Sequence, residues 1–122
     1  MRMLFTLSLV LLAAGCGRST GDWIRQLKDT DVVKRREAVR QLGSMFSEAQ
    51  LVVPALCEAL SDENGYVRHD AALALGKFGP DARLAVPVLL AARQDRESSV
   101  RKAASTSLKR IDPEAAAKLG EK

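Results

Sequence analysis

From residue 22 onward the apolar positions of the chain come in bursts with three- and four-residue spacing, the pattern of helices that bury one face. Val67, Ala71, Ala74, Leu75 and Phe78 make one such stripe. A shorter helix is expected before it, Val53 to Leu60, with an equivalent over Ala85 to Ala92. Each of these carries a proline, Pro54 or Pro87, which the pattern places in the first helical turn, where a missing N–H costs little. Asp62-Glu63-Asn64-Gly65 reads as the turn between the two helices of a pair, and Gly43 and Gly76 fall near helix ends. Asp112-Pro113-Glu114 reads as an N-cap and first turn of a short closing helix, without a partner, that runs to Gly120.

The bursts are copies of one another. Three segments align without gaps at an offset of 33 residues. Asp29, Asp62 and Asp95 share one column, and Arg35, Arg68 and Arg101 another. Ala38, Ala71 and Ala104 form a third, Leu42, Leu75 and Leu108 a fourth, and Pro54 and Pro87 keep the same spacing. The outer copies depart from the middle one: Lys34 stands where the others have Val, Ser105 replaces an alanine-like core position, and Lys109 replaces the glycine. Such degeneracy suits terminal, capping units, and about three units are the least that such a stack needs for stability.

An Asp in the turn, Val-Arg at the start of the second helix and then Ala-Ala-x-x-Leu-Gly resembles HEAT-like repeats, in particular the short form known from phycobilin lyases. The resemblance covers about Asp22 to Leu119. The Thr-Pro-Leu-His signature of ankyrin repeats is absent, as is the tetratricopeptide pattern. The fold implied is all-α, a right-handed α-solenoid of about three HEAT-like helix pairs with a short C-terminal capping helix. The resemblance also makes the Asp and Arg columns a structural ladder between the turns of neighbouring units rather than catalytic pairs. It places the second helices on the concave side, where ligands of such stacks bind. On those helices Arg36, His69 and Lys102 align at the period, with Arg40, Lys77 and Arg110 one or two turns along, beside Ser44. This basic ridge is the expected interaction face, suited to an acidic protein segment or an anionic envelope polymer, although Glu37 and Asp70 sit beside it.

Composition agrees with closely packed helices: aromatic residues are 4% of the chain, and Ala and Leu dominate the apolar ones. A net charge of +4 in a chain with both signs interspersed describes a solvated surface, not a nucleic-acid tail. Trp23 and Tyr66 are expected to pack at a cap and at a turn.

The first fifteen residues have a different character. Met1-Arg2 is a short basic start, Met3 to Ala14 is apolar apart from Thr6 and Ser8, and Ala13-Ala14-Gly15 brings small residues up to Cys16. That order is the order of a secretory signal. Twelve helical residues span roughly 18 Å against a hydrocarbon core of about 30 Å, too short for a transmembrane helix. Leu12-Ala13-Ala14-Gly15-Cys16 resembles the lipobox of bacterial lipoproteins, with Ala13 where that family prefers Leu. The resemblance implies cleavage after residue 15, lipidation of Cys16, a flexible tether over 16–21 and a repeat domain over 22–122. The chain would then face the periplasm in the bacterial cell envelope, lipid-anchored, with the outer membrane favoured because Gly17 rather than Asp follows the cysteine.

Residues with catalytic potential are few. His69 is the only histidine, so no metal cluster can be built from two of them. Cys57, in Ala55-Leu56-Cys57-Glu58-Ala59-Leu60, reads as a small buried hydrophobe. The chain has no glycine-rich phosphate loop and no serine motif of hydrolase type. The expectation from sequence is therefore a non-catalytic interaction or scaffold module with an unidentified protein partner, without cofactor, metal or small-molecule substrate. The alternative is a HEAT-like domain of an enzyme, either chromophore lyase-like or nucleic-acid-binding and glycosylase-like.

Overall fold

Side-chain caps set where most of the helices begin. In the computed structural model, which describes residues 17–120, α1 (Thr20–Gln26) opens on a reciprocal capping box. Its Ser19 Oγ accepts from the Asp22 N–H at 3.2 Å, while Asp22 Oδ2 accepts from the Ser19 N–H at 2.9 Å. Helix α2 (Val32–Leu42) is capped by Asp31, which accepts from the Val33 N–H at 2.8 Å. A 3-10 turn at Phe46–Glu48 leads into α3 (Ala49–Ala59). Asn64 caps α4 (Gly65–Lys77), accepting from the Tyr66 N–H at 2.9 Å. A longer 3-10 segment, Gly79–Ala85, precedes α5 (Val86–Ala92). Helix α6 (Ser98–Ile111) starts without a side-chain cap at Glu97, and α7 (Pro113–Gly120) closes the series, with Asp112 Oδ1 accepting from the Ala115 N–H at 3.1 Å.

The helices pack as three pairs, α1 with α2, α3 with α4, and α5 with α6. The second helices α2, α4 and α6 lie side by side in that order, while α1 meets α3 and α3 meets the 79–85 segment. Between the layers lies one core. Its repeated columns are sealed: Ala38, Ala71, Ala104, Leu42 and Leu75 have no exposed area and Leu108 has 1%. Each fully buried leucine contributes roughly 2 kcal/mol of transfer free energy, so the columns hold the pairs together as well as shaping them.

Glycine sets how closely the second helices approach. A Cβ at Gly76 would lie 2.6 Å from Ser107 Oγ and 3.1 Å from Ser107 Cα, so α4 and α6 touch backbone to backbone there. The Ser107 hydroxyl, buried by that approach, donates to the Ala72 carbonyl at 2.5 Å. Gly43 serves α2 and α4 in the same way, with its absent Cβ 3.1 Å from that of Ala74. The third position of this column is the exposed Lys109.

Three sequence expectations change. Pro54 lies in the interior of α3, because that helix begins at Ala49 rather than Val53. The carbonyl it deprives of a donor belongs to exposed Gln50, which water can serve. Thr20 and Gly21, expected in the tether, are already helical, and Arg18 lies 4.2 Å over the Trp23 ring. The closing helix α7 has a partner after all, since it packs along α6 and rests Ala116 against the core. The leader, its junction and Cys16 fall outside the described residues. No helix within them is long and apolar enough to cross a membrane.

Candidate interaction face

The Asp and Arg columns meet across the turns. Arg35 donates from Nε and Nη2 to the two carboxylate oxygens of Asp62, at 2.9 and 3.2 Å. Its Nη1 donates to the carbonyls of Asp29 and Thr30 at 2.8 and 3.2 Å. Arg68 repeats the pattern on Asp95 at 2.9 and 3.1 Å, with Nη1 on the carbonyls of Asp62 and Glu63 at 2.8 and 3.1 Å. Both guanidinium groups are buried, and this planar fork suits them to bind a carboxylate and a turn at once. Burial pushes the Asp95 carboxyl up, but hydrogen bonds from Arg68 and the Glu97 N–H, with the charges of Arg68 and Arg96, hold it below its ordinary value. The ends of the ladder are incomplete. Among the described residues the Asp29 carboxylate accepts from the Asp31 N–H at 2.8 Å and meets no arginine, and Arg101 donates from Nη1 to the Asp95 carbonyl at 2.7 Å and meets no carboxylate.

The residues of the expected basic ridge lie along the outward side of the second helices, but they are not equivalent. Arg36 donates from Nε to Asp70 Oδ2 at 2.8 Å, and its guanidinium lies 5.1 Å from the Tyr66 ring centre. The hydrogen bond that Arg36 donates to Asp70 raises the Arg36 pKa further, against the opposing effect of burial. His69 Nδ1 stands 3.3 Å from the other Asp70 oxygen. Asp70 thus neutralises this end of the ridge. Arg40, Lys77, Lys102 and Arg110 are exposed and form no ion pair among the described residues.

Sequence reasoning missed the apolar part of this face. Tyr66 is 67% exposed instead of packed at a turn, and Val33, one period earlier, is 65% exposed. Leu73, 39% exposed, stands between Arg40 and Thr106 in its column. The repeat itself could have revealed these residues: columns 33-66-99 and 40-73-106 lie opposite the buried alanines and leucines, so any apolar side chain there must face outward. The outward side of the second helices thus carries a valine, a tyrosine and a leucine among exposed cations.

A second surface feature lies at α3. Phe46, Leu51, Pro54 and Leu84, together with the polar Glu48, Gln50 and Asp81, line an open groove of mixed character of about 860 Å³. Cys57 is half-buried, and burial pushes its thiol up, so it stays protonated. No cluster of metal-ligating side chains occurs among the described residues.

A model of the HEAT-repeat family matches residues 21–109. The solved complex of CpcE and CpcF of phycocyanin lyase from Nostoc sp. PCC7120 contains a chain similar to this one, with 32% identity and a TM-score of 0.74 over 85% of this chain. The match spans 41% of that neighbour, so the present chain corresponds to well under half of it. An engineered protein of the same fold aligns at 24% identity and a TM-score of 0.65, over 84% of this chain and 49% of its own. No curated protein sequence matches. The phycocyanin lyase likeness corrects the expectation of a non-catalytic module that is not an enzyme, because the similar chain there is part of a lyase complex.

Proposed function

Because the chain belongs to the HEAT-repeat family, we propose that it is a docking subunit whose second-helix face holds a partner protein inside a larger assembly. The observation that carries this reading is the exposed apolar strip of Val33, Tyr66 and Leu73 set among Arg40, Lys77, Lys102 and Arg110. An apolar centre with a cationic rim favours a partner segment that brings one or two hydrophobic anchors and an excess of carboxylates. The likeness to a chain of a two-protein lyase complex supports assembly with a second protein, and makes a lyase-type assembly the specific form to test.

A photo-crosslinker at position 73 in the native membrane should trap one partner. Reversal of Lys77, Lys102 and Arg110 to Glu should abolish the adduct while leaving the helical circular dichroism unchanged. A partner retained at full yield would refute the face. The captured complex, assayed for lyase activity with the native and reversed chains, tests the form of the assembly; activity indifferent to the reversal would remove the lyase reading.

The anchoring part of the proposal rests on the leader and on Cys16. Several acyl chains hold a protein firmly, since each buried methylene contributes about 0.8 kcal/mol. Cys16→Ser should move the chain from the membrane to the soluble fraction, and retention in the membrane would end the lipoprotein reading.

A further inference from the structure

The chain is fastened to the repeat domain from Arg18 onward. The Arg18 guanidinium lies 4.2 Å over the Trp23 ring and donates to Gln26 Oε1 at 2.5 Å. Ser19 caps α1, and Thr20 Oγ1 donates to Met45 Sδ at 3.5 Å. Cys16 stands two residues before Arg18, at most about 7 Å away along the chain. A lipid on Cys16 would therefore hold the domain closely, with the root of its tether beside Met45.

Met45 leads into the 3-10 turn of Phe46, and from there the outer side of the first helices carries exposed apolar residues. Phe46, Leu51 and Leu84 are 50, 60 and 70% exposed and meet on one groove. Leu51 and Leu84 stand one period apart, as do the exposed Pro54 and Pro87, so the repeat itself turns two apolar columns outward. Charge on this side balances, with exposed Glu48 and Asp81 against exposed Arg18 and Arg83. The opposite layer is the cationic one, where Arg40, Lys77, Lys102 and Arg110 stand exposed.

We propose that the outer side of the first helices, with Phe46, Leu51 and Leu84 foremost, rests on the lipid surface that holds the anchor, and so turns the second-helix face away from the bilayer toward its partner. The proposal rests on the reading of Cys16 as the lipid anchor. A few apolar side chains hold a free protein to lipid only weakly, but so short a tether makes the contact intramolecular, and a weak contact then suffices to fix orientation. The balance of charge suits zwitterionic headgroups, whereas an anionic surface would draw the cationic layer.

The test uses the full chain recovered from membranes and reconstituted into phosphatidylcholine vesicles that carry a nitroxide beside the headgroup. Cys57→Ser confines a fluorophore to an introduced thiol, the Cys16 sulfur being taken up in the lipid. The label is placed through Gln50→Cys or, on the opposite layer, through Leu73→Cys. The nitroxide should quench the label at position 50 and spare the one at 73. Leu51→Ser combined with Leu84→Ser, both at exposed positions, should lower the lipid-facing population about tenfold and remove most of the quenching at 50, while the chain still floats with the vesicles. Equal quenching at the two positions, or quenching at 50 that survives the double substitution, would overturn the proposal and leave the anchor standing. Quenching that moves to 73 on addition of anionic lipid would overturn it by giving the bilayer to the cationic layer. A crosslink between copies at position 50 without quenching would overturn it in favour of a dimer. A chain that fails to float with the vesicles would end the anchoring reading and the proposal with it.

Discussion

Gly76 and Ser107 carry the closest contact between second helices, and only one of them is legible as special in the sequence. The glycine stands out by its column; the serine occupies a position held by Gln41 and Ala74 in the other units and betrays nothing of its bond to the Ala72 carbonyl. Gly76→Ala forces α4 and α6 apart and should cost about 1–3 kcal/mol in chemical denaturation. Ser107→Gly removes the atoms in the way, so the double variant should recover part of that loss, and strict additivity would show that the contact is not the cause. Asp95 belongs to the same scale. Its carboxyl titrates lower in the folded chain than its ordinary value of 3.8, so protonation favours the unfolded chain. The stabilisation is therefore complete above about pH 4 and is lost as pH falls through the folded pKa. Asp95→Asn should flatten that acid limb of the stability profile, and Arg68→Met, which leaves the carboxylate unpaired beside the core, should cost about 3 kcal/mol at neutral pH. Tyr66 and Asp70 differ in this respect: the outward facing of Tyr66 is legible in its column, whereas which cation Asp70 takes depends on the neighbouring unit.

Helix existence was legible and helix edges were less so. The apolar stripes of α4 and α6 predicted their elements well, because a buried face of alanine and leucine admits one period. Helix α3 begins four residues before the expected Val53: a proline is a common start signal, yet Ala49 to Val52 before it already turn helically. An interior proline survives where the orphaned carbonyl faces water, a condition that sequence does not display. Caps follow the repeat in two of the three units. Asp31 and Asn64 cap α2 and α4 through side-chain oxygens, and Glu97, in the same column, does not cap α6. Glu97→Asn should raise stability by about 1 kcal/mol in thermal or denaturant unfolding, and an unchanged midpoint would mean that α6 gains nothing from the cap it lacks.

At the scale of the whole molecule the 33-residue period carried the architecture: the sealed columns, the ladder and the stacking of the second helices all follow from it. What it did not carry was the kind of assembly. A docking surface looks the same whether its partner is a scaffold or an enzyme, because the chemistry then lies in what is assembled, and the correction came from a relative solved in a complex. The ladder has one more consequence, a mechanical one. Charged bonds between units gather toward the turn edge, at Arg35–Asp62, Arg68–Asp95, Arg36–Asp70 and Arg96 to the Glu63 carbonyl, while the far edge relies on the Phe46–Phe78 ring pair at 5.1 Å, close-packed glycines and one neutral bond, from Ser107 to the Ala72 carbonyl. Charged forks tolerate little stretch, whereas apolar contacts slide. The stack should flex as a fan does, with its rivet at the turns. Amide exchange would register this as slower opening at 62–68 and 95–101 than at 43–48 and 79–85, and a surface that spreads and closes about a fixed edge can fit partners of differing width.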